Sequence, residues 1–150
     1  MELLTCPESL VAKVIKARYH PRTSVLQASV GHNPSYVWRS ILAAKNVVIQ
    51  GSRLQVGCGN MIFIGKDPWL PDTNDGFVSS NLNAELAAAP VSSLMVPNQR
   101  AWDYDIISDL FNTRDKELIL QIPLSSRRNA DVWYWLAYSR GCYSVRSCYK

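Results

Sequence analysis

The N-terminal third of the chain carries apolar residues at the spacing of two amphipathic helices. In the first, Thr5 and Glu8 have the form of a capping box, so we expect this helix to begin at Thr5. Pro21 cannot continue a helix and ends the pattern. The apolar positions, three or four residues apart, are Leu10, Val11, Val14 and Ile15.

A second helix is predicted between Asn33 and Gly51. Asn33 is a favoured N-cap, and Pro34 suits the first helical position, where no N–H donor is needed. Gly51 is expected to end the helix in the left-handed conformation. The apolar stripe consists of Trp38, Ile41, Leu42, Val48 and Ile49.

Two strand-like runs follow, residues 53–56 and 61–64, joined by the glycine-rich turn at residues 57–60. Glycine and asparagine tolerate the positive φ angles that tight hairpin turns require. The pattern therefore predicts a small antiparallel β-hairpin.

The C-terminal half is predicted to form a second, short helix–strand unit. Helices are expected over residues 103–111 and from residue 113 to about residue 119, with strands over residues 131–136 and 143–145. Residues 72–100 are rich in Asn, Ser, Ala and Pro, which indicates a loop or linker.

The predicted fold class is therefore α+β, as a fragment of a larger protein. We expect a helical segment with its hairpin over residues 1–71, a variable linker over residues 72–100, and short helices with strands over residues 101–150.

No run approaches the ~18 uninterrupted apolar residues that span a bilayer. The N-terminus has no basic segment leading into an apolar core, so no secretory signal is expected. These features predict an intracellular protein, in the nucleus or cytoplasm, that does not interact with membranes.

The candidate chemistry of the chain is sparse. Four widely spaced cysteines and two distant histidines indicate reduced thiols without a zinc site. Asp103, Asp105 and Asp109 fit a helix start better than a metal cluster, and the Gly57–Gly59 pair fits a turn better than a nucleotide-binding loop. We therefore expect no enzymatic activity and no cofactor.

Charge is distributed unevenly along the chain. Residues 1–66 hold eight Lys or Arg against two Glu, a net charge of +6, whereas residues 67–117 have a net charge of −6. A basic segment can neutralise phosphates, and tyrosine can stack on unpaired bases, although the same residues also occur on ordinary solvated helices. The candidate nucleic-acid-binding residues are Lys13, Lys16, Arg18, Tyr19, Arg22, Arg39 and Lys45.

A series of short motifs resembles, in the same order, the region that follows the polymerase domain in plant non-LTR (LINE-type) retrotransposon reverse transcriptases. The match runs over residues 10–150 and rests on many weak motifs. These are residues 16–19, 34–42, Gly51, 56–59, Ile64, 67–71, Trp102, 110–111, 122–124, Asp131, Trp133, Trp135 and 141–147.

The resemblance implies a non-catalytic connector between the polymerase domain and the zinc-binding domain. The Tyr-x-Asp-Asp metal-binding turn of the polymerase and the Cys and His zinc ligands are absent from this sequence. The implied partners are RNA or an RNA/DNA duplex and other domains of a parent reverse transcriptase. Gly65 stands where the family usually carries Trp, so we expect a gap at that point.

Two alternatives stay open. The chain could be a protein-interaction module that docks a partner through exposed aromatic residues, or a decayed open reading frame with no independent function. The sequence does not fix an oligomeric state.

Overall fold

The computed structural model describes residue 3 and residues 6–23, 25–125 and 129–136. The chain divides into two compact units, here called the N-terminal unit (within Met1–Gly51) and the central unit (Ser52–Leu136). Helices and a two-stranded antiparallel sheet are both present, so the predicted α+β class is confirmed. The strand predicted over residues 143–145 lies outside the described residues.

Helix α1 of the N-terminal unit spans Leu10–Tyr19 and begins later than predicted. Pro7 and Glu8 lie in a turn, and the side chain of Ser9 caps the helix by accepting the N–H of Ala12 at 3.2 Å. The capping residue is therefore Ser9 rather than Thr5, because the turn delays the first helical residue.

Helix α2 spans Tyr36–Gly51 and also begins later than predicted. Asn33 has a φ of +54°, so it forms a left-handed turn before the helix and does not cap it. The Ser35 hydroxyl caps α2 instead, accepting the N–H of Trp38 at 3.2 Å. Gly51 was expected to be a left-handed terminator, but it remains helical and is followed directly by a strand.

The buried side of α1 differs from the predicted apolar stripe. Ala12 is buried, whereas Leu10, Val11 and Val14 are exposed. Tyr19 stacks on the buried ring of Trp38, and this contact turns the side of α1 that carries Ala12 inward. Helical periodicity identified the helix, but a tertiary aromatic contact selected its buried face.

The sheet of the central unit pairs β1 (Ser52–Gln55) with β2 (Val132–Trp135) in antiparallel register, with Leu54 opposite Trp133. The predicted hairpin partner of β1, residues 61–64, does not pair with it. Phe63 instead forms an isolated bridge with Pro90. The turn between the two predicted strands binds Asp131 through its backbone, and this contact brings β2 beside β1.

The two helices predicted after residue 100 are both present. Asp103 and Asn112 cap them by accepting backbone N–H groups at 3.2 Å and 2.9 Å. Asparagine and aspartate are favoured at this position because their side chains reach the unpaired donors of the first turn. The helices are α4, Tyr104–Leu110, and α5, Thr113–Gln121.

The segment expected to be a loop or linker, residues 72–100, is folded into the central unit. It contains the short helix α3 (Ala84–Ala87) and a 3₁₀ helix (Val91–Leu94) whose Val91 and Leu94 are buried. The sequence did not predict these elements, because each is only about one turn long and too short to show helical periodicity.

The core of the central unit contains apolar side chains from β1, the 3₁₀ helix, α4, α5 and the loops between them. No gap is found at Gly65, because a Cβ there would lie 2.7 Å from the Cβ of Ala87. The expected gap is therefore wrong, since close packing against α3 requires glycine. The most completely buried core residues are Ile62, Ile64, Leu70, Val91, Leu94, Ile107 and Ile119.

Candidate nucleic-acid interface

The candidate basic residues belong to the N-terminal unit, and most lie on two helices that have no acidic residue. Helix α1 carries Lys13, Lys16 and Arg18, and α2 carries Arg39 and Lys45. Neither helical sequence contains Asp or Glu. Opposite charges within the helices therefore do not offset this positive charge.

Three of the seven candidates have exposed side chains to which the structure gives no hydrogen bond, ion pair or aromatic ring contact within the described residues. These are Lys16 on α1, Arg22 in the turn after it, and Arg39 on α2. Exposed cations without a protein partner are free to exchange their water and counterions for a phosphate.

Lys13 and Lys45 are engaged within the protein. Lys13 forms a 3.0 Å ion pair with Glu8, and both side chains are largely exposed, so the pair contributes little to stability. The Lys45 ammonium is half-buried and donates to the backbone carbonyl of Ala28 at 3.0 Å. Lys45 therefore supports the packing of the loop before α2 and is a weaker candidate for phosphate contact.

Tyr19 is held by three groups of the N-terminal unit. Its ring is parallel to that of Trp38, with centroids 4.8 Å apart, and the Arg18 guanidinium lies over it at 5.5 Å. The Ser35 N–H donates to the Tyr19 hydroxyl at 3.3 Å. Hydrogen bonding from the side chain of Ser35, and to a lesser degree from its backbone, lowers the pKa of this phenol below its ordinary value. Tyr19 thus orders α1 and α2, and its ring is occupied.

Tyr36, at the start of α2, has a different environment. Its side chain is 85% exposed, and none of the described aromatic rings stacks on it. Arg39 is three residues further along α2, a spacing that places the two side chains on the same face of the helix. Tyr19 was the tyrosine predicted as a candidate from the sequence, and only the structure separates its occupied ring from the exposed ring of Tyr36.

Two of the eight basic residues counted in residues 1–66 belong to the central unit, so residues 1–51 hold six basic and two acidic side chains. One of the two, Arg53, is 1% exposed and donates to the carbonyl of Asp72 at 2.8 Å and of Ser52 at 2.8 Å. Burial lowers the pKa of Arg53 below its ordinary value. It has a structural role, and no sequence pattern distinguished it from the exposed cations.

The glycine turn at residues 57–60 holds a carboxylate of the chain itself. Asp131 accepts the backbone N–H groups of Gly57 and Gly59, both at 2.8 Å, and that of Met61 at 2.9 Å. The Cys58 thiol lies 3.7 Å from the same carboxylate. These donors are already occupied, which agrees with a structural turn rather than a nucleotide-binding loop.

One of the acidic residues that were weighed as metal ligands has a structural role. Asp103 caps α4, and the described residues contain no cluster of three or more metal-ligating side chains. Cys6 and Cys58 are not in disulfide bonds, and Cys142 and Cys148 lie outside the described residues. None of the described helices is long and apolar enough to cross a membrane.

Comparison with known proteins gives one informative similarity. An uncharacterized mitochondrial protein of Arabidopsis thaliana is 33% identical to this chain over 66 residues. The match covers 44% of this chain and 43% of that protein, which is less than half of either length. No family model matches the chain, and no solved structure matches it.

Proposed function

We propose that this chain is a non-catalytic connector segment of a retroelement RNA-directed DNA polymerase, and that its N-terminal unit contacts RNA or an RNA/DNA duplex. The observation that carries the proposal is the charge of α1 and α2, which hold five Lys or Arg and no acidic residue. The exposed Lys16, Arg22 and Arg39 are the cations best placed for phosphate contact.

Two sequence likenesses support the proposed origin of the chain. The ordered motifs resemble the post-polymerase region of plant LINE-type reverse transcriptases, and the similar Arabidopsis protein is also from a plant. The proposed compartment is intracellular, and the mitochondrial relative adds the mitochondrion to the nucleus and cytoplasm. Other domains of the parent polymerase are the proposed protein partners.

The proposed interaction is electrostatic, weak and independent of base sequence. Each phosphate that a Lys or Arg neutralises releases a condensed counterion, so affinity falls as salt concentration rises. For a single strand, each such contact contributes about −0.7 to the slope of log affinity against log salt. Contacts to phosphate carry no base information, so sequence preference is not expected.

The test compares two double variants with the same change in net charge. Lys16→Ala with Arg39→Ala removes two exposed cations from the N-terminal unit. Lys66→Ala with Lys116→Ala removes two cations from the central unit, of which Lys66 is exposed and Lys116 is half-buried. Binding of labelled RNA is measured by fluorescence anisotropy over a range of salt concentrations. The first variant should weaken binding and flatten the salt slope, whereas the second should change both much less.

Equal effects of the two variants would mean that net charge, rather than a surface of α1 and α2, determines binding. Affinity that ignores salt concentration would contradict the proposal outright. The absence of activity is tested separately, since the purified chain should show neither primer extension nor nuclease activity with Mg²⁺ or Mn²⁺.

A protein-interaction module is the second candidate, and one observation favours it. Helix α1 leaves the side chains of Leu10, Val11 and Val14 exposed, with Leu10 78% exposed. Contiguous exposed apolar side chains are typical of surfaces that another protein covers. RNA binding that persists unchanged in the Lys16 and Arg39 double variant would shift the proposal to this function.

A further inference from the structure

We infer that Tyr36, together with Arg39, forms a stacking site for an unpaired base, so that the N-terminal unit prefers single-stranded RNA to duplex. The inference rests on the proposed nucleic-acid function and deepens it. It names the form of nucleic acid that is bound and the aromatic residue that selects it.

Of the two tyrosines beside the basic residues, Tyr19 is unsuited to this role. Its ring stacks on Trp38 at a centroid distance of 4.8 Å and an interplanar angle of 4°. The Arg18 guanidinium also lies over the ring, 5.5 Å from its centroid. A base could stack on Tyr19 only after one of these contacts had broken.

Tyr36 has the free surface that Tyr19 lacks. Its side chain is 85% exposed, and neither a stacked ring nor a cation covers it within the described residues. The side chain of Tyr36 makes no hydrogen bond within the described residues, and its backbone carbonyl accepts from the Ser40 hydroxyl at 3.1 Å. A large exposed ring without a partner can accept a base on its face, since every base has a π-surface.

The charge around Tyr36 favours a nucleic acid over an apolar partner. Arg39 lies on the same face of α2, and the helix has no acidic residue that would pair with it or repel a phosphate. A ring beside a cation matches a nucleotide, in which a flat base is joined to an anionic phosphate. Tyr36 is therefore assigned to the base and Arg39 to the phosphate next to it.

Preference for a single strand follows from this arrangement. In a duplex, the faces of interior bases are already stacked on one another, and a helix surface meets phosphates, sugars and base edges instead. An unpaired base can leave its own stack and lie on the tyrosine ring. Duplex binding would use Arg39 and the other cations without Tyr36.

The experiment measures the affinity of the full chain for an unstructured RNA of about 12 nucleotides and for the same sequence as a duplex, a length within the range that single-strand-binding domains cover. Tyr36→Ala should weaken single-strand binding about tenfold, as expected for the loss of one base stack, and leave duplex binding within about twofold. Tyr36→Phe keeps the ring and should retain the affinity of the unmodified chain. Because no cation is removed, the salt slope should stay the same in both variants.

Tyr104→Ala is the matched control, since Tyr104 is also an exposed tyrosine on a helix but lies in the central unit. It should change neither affinity. Circular dichroism of Tyr36→Ala should match that of the unmodified chain, because an 85% exposed side chain contributes little to packing.

Three outcomes would overturn the inference, and they separate it from the proposed function. If the unmodified chain binds neither RNA, the proposed function and the inference both fail. If it binds RNA but Tyr36→Ala has no effect, the basic surface stands and the stacking site does not exist. If Tyr36→Ala weakens single-strand and duplex binding equally, Tyr36 does not select the unpaired base.

Discussion

The backbone N–H of Gly57 donates a 2.8 Å hydrogen bond to the carboxylate of Asp131, 74 residues further along the chain. A side chain on residue 57 would collide with the backbone carbonyls of Ala130 and Asn129, so glycine permits this close approach. Asp131 immediately precedes β2, and Gly57 closely follows β1. The contact thus joins the two segments of the chain that form the sheet.

Asp131→Asn should destabilise the central unit by about 2–4 kcal/mol. The amide keeps one acceptor oxygen but places a donor group opposite backbone N–H groups, and leaving such donors unpaired costs roughly 1–3 kcal/mol each. Urea unfolding followed by tryptophan fluorescence measures the effect, since four of the five tryptophans lie in this unit. Asp105→Asn, an exposed position on α4, is the control and should cost less than about 0.5 kcal/mol. Equal losses in the two variants would contradict a special role for Asp131.

The elements that sequence analysis predicted well are those whose signals are local. The helices α4 and α5 and the strand β2 are each encoded by residues within a few positions of one another. The predicted partner of β1 was wrong. The contact between Asp131 and the glycine turn brings β2 beside β1, and the residues that form this contact are far apart in sequence. Hydrophobic periodicity carries no information about such a contact.

The candidate site was predictable in composition but not in detail. Counting charges located the basic N-terminal segment, yet Arg53 proved to be buried in the other unit and Lys45 to bond with Ala28. The sequence prediction named Tyr19 as a candidate and not Tyr36, whereas in the structure Tyr19 is stacked on Trp38 and Tyr36 is exposed. Whether a cation or a ring is free depends on tertiary packing, which a single sequence does not record.

Asp115→Asn should destabilise the central unit at neutral pH by about 2–4 kcal/mol, in a pH-dependent way. Burial by itself raises the pKa of Asp115, but hydrogen bonds from Ser80 and Ser79 outweigh it and leave the pKa below its ordinary value. A depressed pKa in the folded state means that the ionised carboxylate stabilises the fold above about pH 4, the value for the unfolded chain.

The stabilisation from Asp115 should therefore be lost as the pH falls through its folded-state pKa. The difference in unfolding free energy between the unmodified chain and Asp115→Asn should narrow over that range. Urea unfolding at a series of pH values measures it, with Asp109→Asn, an exposed position on α4, as the control. A difference that stays constant from neutral pH to pH 3 would show that shape rather than charge is responsible.

Asp67→Asn should show the opposite pH dependence. Burial raises the pKa of Asp67 above its ordinary value, although the Phe63 N–H, donating at 2.7 Å, and Lys66 lower it in part. The folded state therefore favours the neutral carboxyl. The contribution of this carboxyl to stability is present below about pH 4 and lost as the pH rises through the folded-state pKa.

Asparagine is neutral at every pH and keeps an oxygen for the Phe63 N–H. Relative to the unmodified chain, Asp67→Asn should thus be more stable to unfolding at pH 7 than at pH 3. A variant that is relatively more stable at pH 3 would exclude burial as the dominant influence on this carboxyl.

Tyr19→Ala should loosen the N-terminal unit, because Tyr19 joins α1 to α2 through both its ring and its hydroxyl. The substitution removes the parallel stack on Trp38 and the acceptor for the Ser35 N–H. A stacked aromatic pair contributes about 0.5–1.5 kcal/mol beyond the area it buries, so a loss of about 1–3 kcal/mol is expected. Hydrogen exchange should become faster in the amides of α1 and α2 and stay unchanged in the amides of α4 and α5.

Tyr19→Phe separates the two contributions, since it keeps the ring and removes only the hydroxyl. The Ser35 N–H is exposed enough for water to replace the lost acceptor, so this variant should exchange nearly as slowly as the unmodified chain. If the amides of α1 and α2 exchange as fast in Tyr19→Phe as in Tyr19→Ala, the hydroxyl rather than the ring stabilises the N-terminal unit. Unchanged exchange in Tyr19→Ala would mean that the stack on Trp38 does not hold the helices together, and Tyr19 would then again be a candidate for contact with an RNA base.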